Sequence, residues 1–427
     1  MLNTTIFALT AQSLANSPLI TIRSQYFRSC SCTFSYLLSP AIYSAFLMKS
    51  FLVDHTTFKN IIGSGVILES EIYSNQIFRE SLIEKNATVV LQSCLFHNCN
   101  SHENGGGIQT NILYSTVYIS NTGFTNCKTS AKGGAFYVIS KIFGINESCI
   151  SKCSANEYDA FYYSNQIFNH EDEIRQTYVY SISPNSSTSA IYFDSDMPNI
   201  QNNNITEIQR STIKSIIEFV EFESIAFQYN SFVSCVGKYI IFFHFFKGEI
   251  RNCNFDNNQA GNQIVYIGEQ EESIKFCSCC FMKDKSKAYN DKYSIFINCA
   301  FDHPFVQNKF PQKYLTLRCS FNSKYTTNDI KILNMSKNGC WVLISNITSD
   351  YHCSLNSAFY IMMLILLIIL VLFKRFNNHG LKGQFNNYMH SFIGTKINNK
   401  EEKKCTKEEI ENKINKIQKI DFFFQTI

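Results

Sequence analysis

Charge, glycine, proline and tryptophan are all scarce in this sequence. Charged residues make up 17% of its 427 residues, below the roughly 25% of an ordinary globular domain. With 6 Pro and 17 Gly, collagen-like sequence and a proline-rich linker are excluded. A disordered chain is excluded as well, because such chains are charged and poor in aromatics. Here aromatics reach 15%, as 38 Phe and 23 Tyr against 1 Trp. A net charge of +4 is too small to argue for a nucleic-acid partner.

One long apolar run sets the expected topology. Ala358 to Phe373, AFYIMMLILLIILVLF, holds no charge and no strong polar group. At about 1.5 Å per residue it spans roughly 24 Å as a helix, slightly short of a bilayer core. Lys374 and Arg375 follow at once and can snorkel, so a span over 357–376 is expected. A buried core helix is the plainer alternative, but core helices rarely lack polar residues on every face. The stretch after Phe373 carries 11 Lys+Arg against 6 Asp+Glu, which leaves 38 − 11 = 27 against 34 − 6 = 28 before it. The positive-inside rule then places 377–427 in the cytoplasm and the N-terminal part outside, at a plasma membrane.

Two further patterns agree with that orientation. Asn3, Asn86, Asn146, Asn185, Asn204, Asn334 and Asn346 each open an N-x-S/T sequon, and none follows the span. The last six of these are the glycosylation candidates. Sixteen of the 17 Cys precede the span, as suits an oxidising compartment. Residues 1–19 read either as a weak signal peptide, lacking a basic n-region, or as a first coil.

Between them lies a repeat. Phe96-His97-Asn98-Cys99 is followed by Gly106-Gly107-Ile108, and Phe124-Thr125-Asn126-Cys127 by Gly133-Gly134-Ala135. A degenerate third copy runs Ile150-Ser151-Lys152-Cys153, then Asp159-Ala160-Phe161. A second form, Cys-x-Phe, recurs at Cys32, Cys94, Cys253, Cys279, Cys299 and Cys319. Anchors from Phe34 to Ile150 fall 24, 38, 28 and 26 residues apart, and from Phe232 to Phe321 they fall 23, 26, 20 and 20 apart. Short runs such as VVLQSCLF and YLTLRCSF are rich in strand formers, with Asn, Ser and Gly between them. The reading is an all-β parallel β-helix over 20–350, one coil per 20–28 residues. Stacked Phe would form an interior ladder, stacked Asn would pair amide to amide at corners, and Gly-Gly would mark a corner of positive φ. A β-sandwich also has short strands, but would not repeat these motifs in one order. From Phe168 to Ile225 no anchor stands out, so degenerate coils or an inserted loop are both open.

These motifs resemble the GGA[ILV] and FxxN repeats of chlamydial polymorphic outer membrane proteins, whose relatives occur on the surface of parasitic protists. The likeness is good over about 55–165 and loose elsewhere; only Phe255–Asn258 is a true F-x-x-N. It implies a right-handed coil displayed at a cell surface, with adhesion as the usual role. A C-terminal β-barrel is missing, so the single-span form points to a eukaryotic surface protein.

Chemistry-bearing clusters are few. Glu171-Asp172-Glu173 with Arg175 reads as a solvated acidic loop, and Asp194 with Asp196 lacks a basic partner. His97, His102 and His244 are scattered, and Cys277-Ser278-Cys279-Cys280 lacks the second pair that a metal site needs. No catalytic, cofactor or metal residue is assigned. In the tail, Thr406-Lys407-Glu408-Glu409 resembles a capping box that opens a short amphipathic helix.

The cysteines leave two readings. Residues i and i+2 of a strand share a face, so Cys and Phe of Cys-x-Phe both point inward. Equivalent cysteines then stack at about 4.8 Å, inside the Cα window for a disulfide. Cys127–Cys153 and Cys299–Cys319 are the candidate bridges, and a ladder of buried thiols is the alternative. The function expected is surface interaction, most simply adhesion to a protein or glycan of host cells, matrix or neighbours. A membrane-anchored carbohydrate-active enzyme is the alternative.

Overall fold

In the computed structural model the chain coils through three parallel sheets. The structure describes residues 3–321, apart from 8, 14–15, 46–47, 70–86, 166, 168–169, 183–187, 211–213, 221–224, 247, 269–273, 285–293 and 303–313. The first sheet has 13 strands, from Asn3–Phe7 to Tyr314–Leu317. The second has 14, from Thr10–Ser13 to Ser320–Phe321, counting the short side strand Lys128–Thr129. The third has 10, from Ile20–Thr21 to Gln259–Ile267. Each strand pairs in parallel with its equivalent in the next coil. The fold is therefore a parallel β-helix, and no described residue is α-helical. The chain divides into two compact units, Met1–His352 and Cys353–Ile427. No described helix is long and apolar enough to cross a membrane. The run 358–373 and the tail helix lie outside the described residues.

The repeat anchors share one inward column of the second sheet. Phe34, Phe58, Phe96 and Phe124 lie in register, with ring centroids 5.3, 4.6 and 5.0 Å apart. Phe232, Phe255, Phe281 and Phe301 continue it at 5.3, 5.0 and 5.1 Å. Between the two blocks, Ile150, Val179 and Ile205 hold the same register. The stretch 168–225 is thus made of coils, not of an inserted loop. Its anchors have shrunk from Phe to Val and Ile, and a cavity of about 20 Å³ opens beside Val179, Ile205 and Phe219.

Left-handed residues at two corners let the chain turn sharply without breaking its ladders. Entering the second sheet, His55, Ser93, Asn121, Glu147 and Gln176 have φ of 46–51°. Each backbone N–H still donates to the next coil, as from Ser93 to Ser120 O at 3.1 Å and from Asn121 to Asn146 O at 3.1 Å. Continuing the ladder keeps buried backbone groups paired. The residue after each turn points inward and caps it: Thr122 Oγ1 donates to Ser120 O at 2.8 Å, and Cys94 Sγ to Gln92 O at 3.1 Å. This is why Cys recurs two places before Phe; it shares the column with Thr56, Thr122, Ser148 and Thr177.

Leaving the second sheet, Asn60, Asn98, Asn126, Lys152 and Ser234 have φ of 52–55°. Asn tolerates this conformation well. Its side chains also form the expected ladder: Asn98 Nδ2 donates to Asn60 Oδ1 at 2.7 Å, and Asn126 Nδ2 to Asn98 Oδ1 at 3.0 Å. The glycine motif aligns one residue earlier than the sequence alone suggests. Ile108 pairs with Phe136, so Gly105-Gly106-Gly107 lies beside Gly133-Gly134-Ala135. Gly105 and Gly133 have φ of 65° and 73°. Gly134 has no room for a side chain, because a Cβ there would lie 2.0 Å from Asp159 O.

Candidate functional site

The outer face of the third sheet carries a strip of stacked aromatics. Strand alternation turns Phe136 and Val138 inward and Tyr137 outward. In-register pairing then sets Tyr137, Tyr162, Tyr192, Glu218, Phe242 and Tyr266 in one outward column. Tyr137–Tyr162 and Tyr162–Tyr192 stack at 4.8 Å, with interplanar angles of 10° and 4°. Tyr158 leans on Tyr162 and Tyr192 from the preceding corner. Lys132 Nζ sits 5.4 Å from the Tyr162 centroid and 3.3 Å from the Glu157 carboxylate. Tyr239 stacks on Tyr266 at 4.4 Å.

Glu218 interrupts the strip. Its carboxylate accepts from Ser189 Oγ at 2.8 Å and pairs with His244 Nε2 at 2.9 Å. The His244 ring in turn packs on Phe242 at 4.5 Å. Asp194 accepts from Ser164 Oγ at 2.9 Å beside the same column. Burial first, then the nearby carboxylates Asp194, Glu157 and Glu218, push the phenols of Tyr158 and Tyr192 up. Those hydroxyls stay neutral and both donate and accept hydrogen bonds. Because the rings stack face to face, the strip offers edges and hydroxyls rather than open ring faces. Stacked tyrosines are rigid and amphipathic, so they give contact area at low entropic cost.

Acidic residues behave differently from the sequence expectation. Glu171–Arg175 is a strand of the first sheet, not a solvated loop. Alternation leaves Glu171 and Glu173 outward, with Glu173 paired to Arg175, and turns Asp172 fully inward. Asp172 Oδ1 accepts from Phe143 N at 2.7 Å, and Oδ2 accepts from Ser195 Oγ at 2.6 Å and Asn165 Nδ2 at 3.3 Å. Ser195 lies between Asp194 and Asp196, so the two acidic candidates of the sequence meet at one corner. Asp172 faces the interior of the coil. Sequence reading missed a second inward carboxylate, Asp159, which is ion-paired with a buried Arg210. Its signal was its place in the degenerate Gly-Gly motif, where Asp159 stands in line with Gly134.

Neither candidate disulfide is formed: Cys127, Cys153, Cys299 and Cys319 are all free thiols. Cys99, Cys127 and Cys153 do stack at one corner, and Cys253, Cys279, Cys299 and Cys319 at another. Several Sγ atoms bond back to the preceding coil, as from Cys127 to Phe96 O at 3.5 Å and from Cys299 to Phe276 O at 3.3 Å. In-register stacking sets Cβ atoms about 4.8 Å apart with parallel bonds, beyond the roughly 3.5–4.5 Å of a disulfide. Burial pushes the Cys94 and Cys235 thiols up to about 12. The Cys94 and Cys235 thiols should therefore resist iodoacetamide at pH 8 while the chain is folded. Cys127, Cys153, Cys299 and Cys319 should all alkylate once it is unfolded without reductant. Peptide mapping checks both; a Cys127–Cys153 or Cys299–Cys319 cross-link would contradict the ladder.

The remaining candidates scatter. Among the sequons, Asn146 ends a first-sheet strand, half-buried, and Asn204 lies on the outer side of the second sheet. Asn86, Asn185, Asn334 and Asn346 lie outside the described residues. Cys277, Cys279 and Cys280 belong to the outer first sheet, the interior and the outer second sheet. They cannot converge on an ion, and the described residues hold no group of three metal-ligating side chains. No protein-family model, no curated protein and no solved structure matches the chain.

Proposed function

We propose that this chain is a single-pass surface protein whose β-helix faces outward and binds through the tyrosine strip of its third sheet. The strip is the observation that carries the reading: six outward positions in register, five of them aromatic and the sixth Glu218, rimmed by Ser164, Asp194 and Lys132. A glycan or protein of host cells, matrix or a neighbouring surface is the partner class such a face fits, with adhesion as the outcome. The apolar run 358–373 and the charge asymmetry around it support anchoring with the tail inside the cell. The motif order supports kinship with the polymorphic outer membrane protein-like repeats, and with it a right-handed coil. Protease applied to intact cells should remove epitopes before Ser357 and spare those after Arg375.

Binding is tested with the full chain displayed on cells. Losing a central aromatic contact costs about 2 kcal/mol or more at an interface, about thirtyfold in affinity. Tyr162→Ala and Tyr192→Ala should each weaken adherence on that scale. Tyr118→Ala, on the exposed face of the first sheet, should not. Equal adherence of all three variants would end the assignment of the strip.

A further inference from the structure

Three thiols stand in a row at the corner where the chain leaves the second sheet. Cys99, Cys127 and Cys153 hold equivalent places in successive coils, as the pairing of Asn100 with Lys128 and of Lys128 with Ser154 fixes. All three are 0% exposed. They share one orientation, because each Sγ faces the carbonyl two residues before it: His97 O at 4.0 Å, Thr125 O at 3.8 Å and Ser151 O at 3.3 Å. Ile61 precedes Cys99 in this inward column and Ile182 follows Cys153, so buried apolar side chains close both ends of the row. The backbone holds the spacing, with Ser154 N donating to Cys127 O at 3.0 Å.

The middle thiol differs from its buried counterparts. Burial acts to raise Cys127, but the thiols of Cys153 and Cys99 on either side, and His97 beyond them, hold it well below the usual thiol range. In the second row, burial pushes Cys279 up, and the neighbouring thiol pushes up Cys299 and Cys319.

We propose that the row Cys99, Cys127 and Cys153 binds soft monovalent cations of the copper(I) class, one held linearly in each of its two gaps. The spacing decides the chemistry. Coils stack at about 4.8 Å. Two thiolate–metal bonds of about 2.3 Å laid end to end span about 4.6 Å. One two-coordinate ion therefore fits a gap that is too wide for a disulfide. A tetrahedral ion does not fit, since no three ligating side chains converge among the described residues. Thiolate sulfur selects a soft ion over a hard one.

Binding is a ligand exchange without redox change. Each thiol that binds gives its proton to solvent, two sulfur–metal bonds form per ion, and the Cys127 sulfur bridges both ions. Two cations and three thiolates leave one negative charge. His97, which feels the charge of Cys127, offers the matching positive charge when protonated. The ions would clip three coils together through their side chains, independently of the tyrosine strip.

The test adds copper(I), kept reduced anaerobically by ascorbate, to the full purified chain and counts the copper retained against a competing chelator. Cys99→Ala and Cys153→Ala should each retain one ion fewer than the parent, and Cys127→Ala two fewer. Cys94→Ala, inward at the corner entering the sheet, should retain as many as the parent. Counting differences removes whatever the second row of thiols binds. In the parent itself, one equivalent of copper should raise amide protection over Leu95–Ser101, Gly123–Thr125 and Cys149–Ser151. X-ray absorption of that sample should show two-coordinate copper. These parent readouts stand even where a variant misfolds. Equal losses from the three variants, an undiminished count in Cys127→Ala, or three- or four-coordinate copper in the parent would overturn the proposal.

Discussion

Replacing Phe96 by Ala should destabilise the coils around it by about 3–5 kcal/mol, the range for a large aromatic removed from a packed core. Phe96 is fully buried and has a ring on each side, Phe58 at 4.6 Å and Phe124 at 5.0 Å, both nearly parallel to it. The neighbouring backbone is shaped around it, since a Cβ on Gly65 would lie 2.8 Å from the Phe96 ring. Strand register fixes the coils above and below, so the space cannot close by a local shift. The effect should be regional, because each coil contacts only its neighbours. Hydrogen exchange should show lost protection across the strands of Phe58, Phe96 and Phe124, with little change around Phe281 and Phe301. A contrast is available at Val179, where the column is already thin: Val179→Ala should cost less than half as much. Equal costs at the two sites would mean that stacking along the column does not govern stability.

That ladder was legible in the sequence because its anchors are chemically loud. Phe-x-Asn-Cys encodes an inward ring, an outward strand residue, a left-handed corner and an inward cap in four letters. The same four places filled by Val179-Tyr180-Ser181-Ile182 encode the same geometry, but those letters occur everywhere, and so the coils of 168–225 were hidden. The left-handed corners were legible where Asn fills them and not where Glu147, Gln176 or Lys152 does. At those positions the unbroken ladder, and not local preference, holds φ positive. The tyrosine strip was invisible for another reason. Its members lie 24–30 residues apart, and only the register set by the inward column places them side by side. Asp172 was misread because flanking charge outweighed its alternation with Ile174, although the run Glu171-Asp172-Glu173-Ile174-Arg175 fits a strand with two inward residues.

Asp172 should give the protein a stability that falls as pH rises through the weakly acidic range. Burial raises its carboxyl to about 6, against the hydrogen bonds from Ser195, the Phe143 amide, Tyr163 and Asn165, which act to lower it. The folded value thus lies above the 3.8 of an ordinary aspartate. The neutral form is the one the fold prefers. Its contribution is fully present below pH ~4, where both states are protonated, and is lost as pH climbs through ~6. A rise of about two units corresponds to about 3 kcal/mol between those limits. Asp172→Asn keeps one carbonyl oxygen for the Phe143 amide and cannot ionise. Near pH 4 it should match the parent, and at pH 8 it should be the more stable by about 2–3 kcal/mol. Urea unfolding at the two pH values, followed by exchange of the Phe143 amide, reads the difference where it arises. Other carboxylates titrate in both proteins and cancel in the comparison. Parallel pH profiles for parent and variant would show that the Asp172 carboxyl is ionised at no cost to the fold.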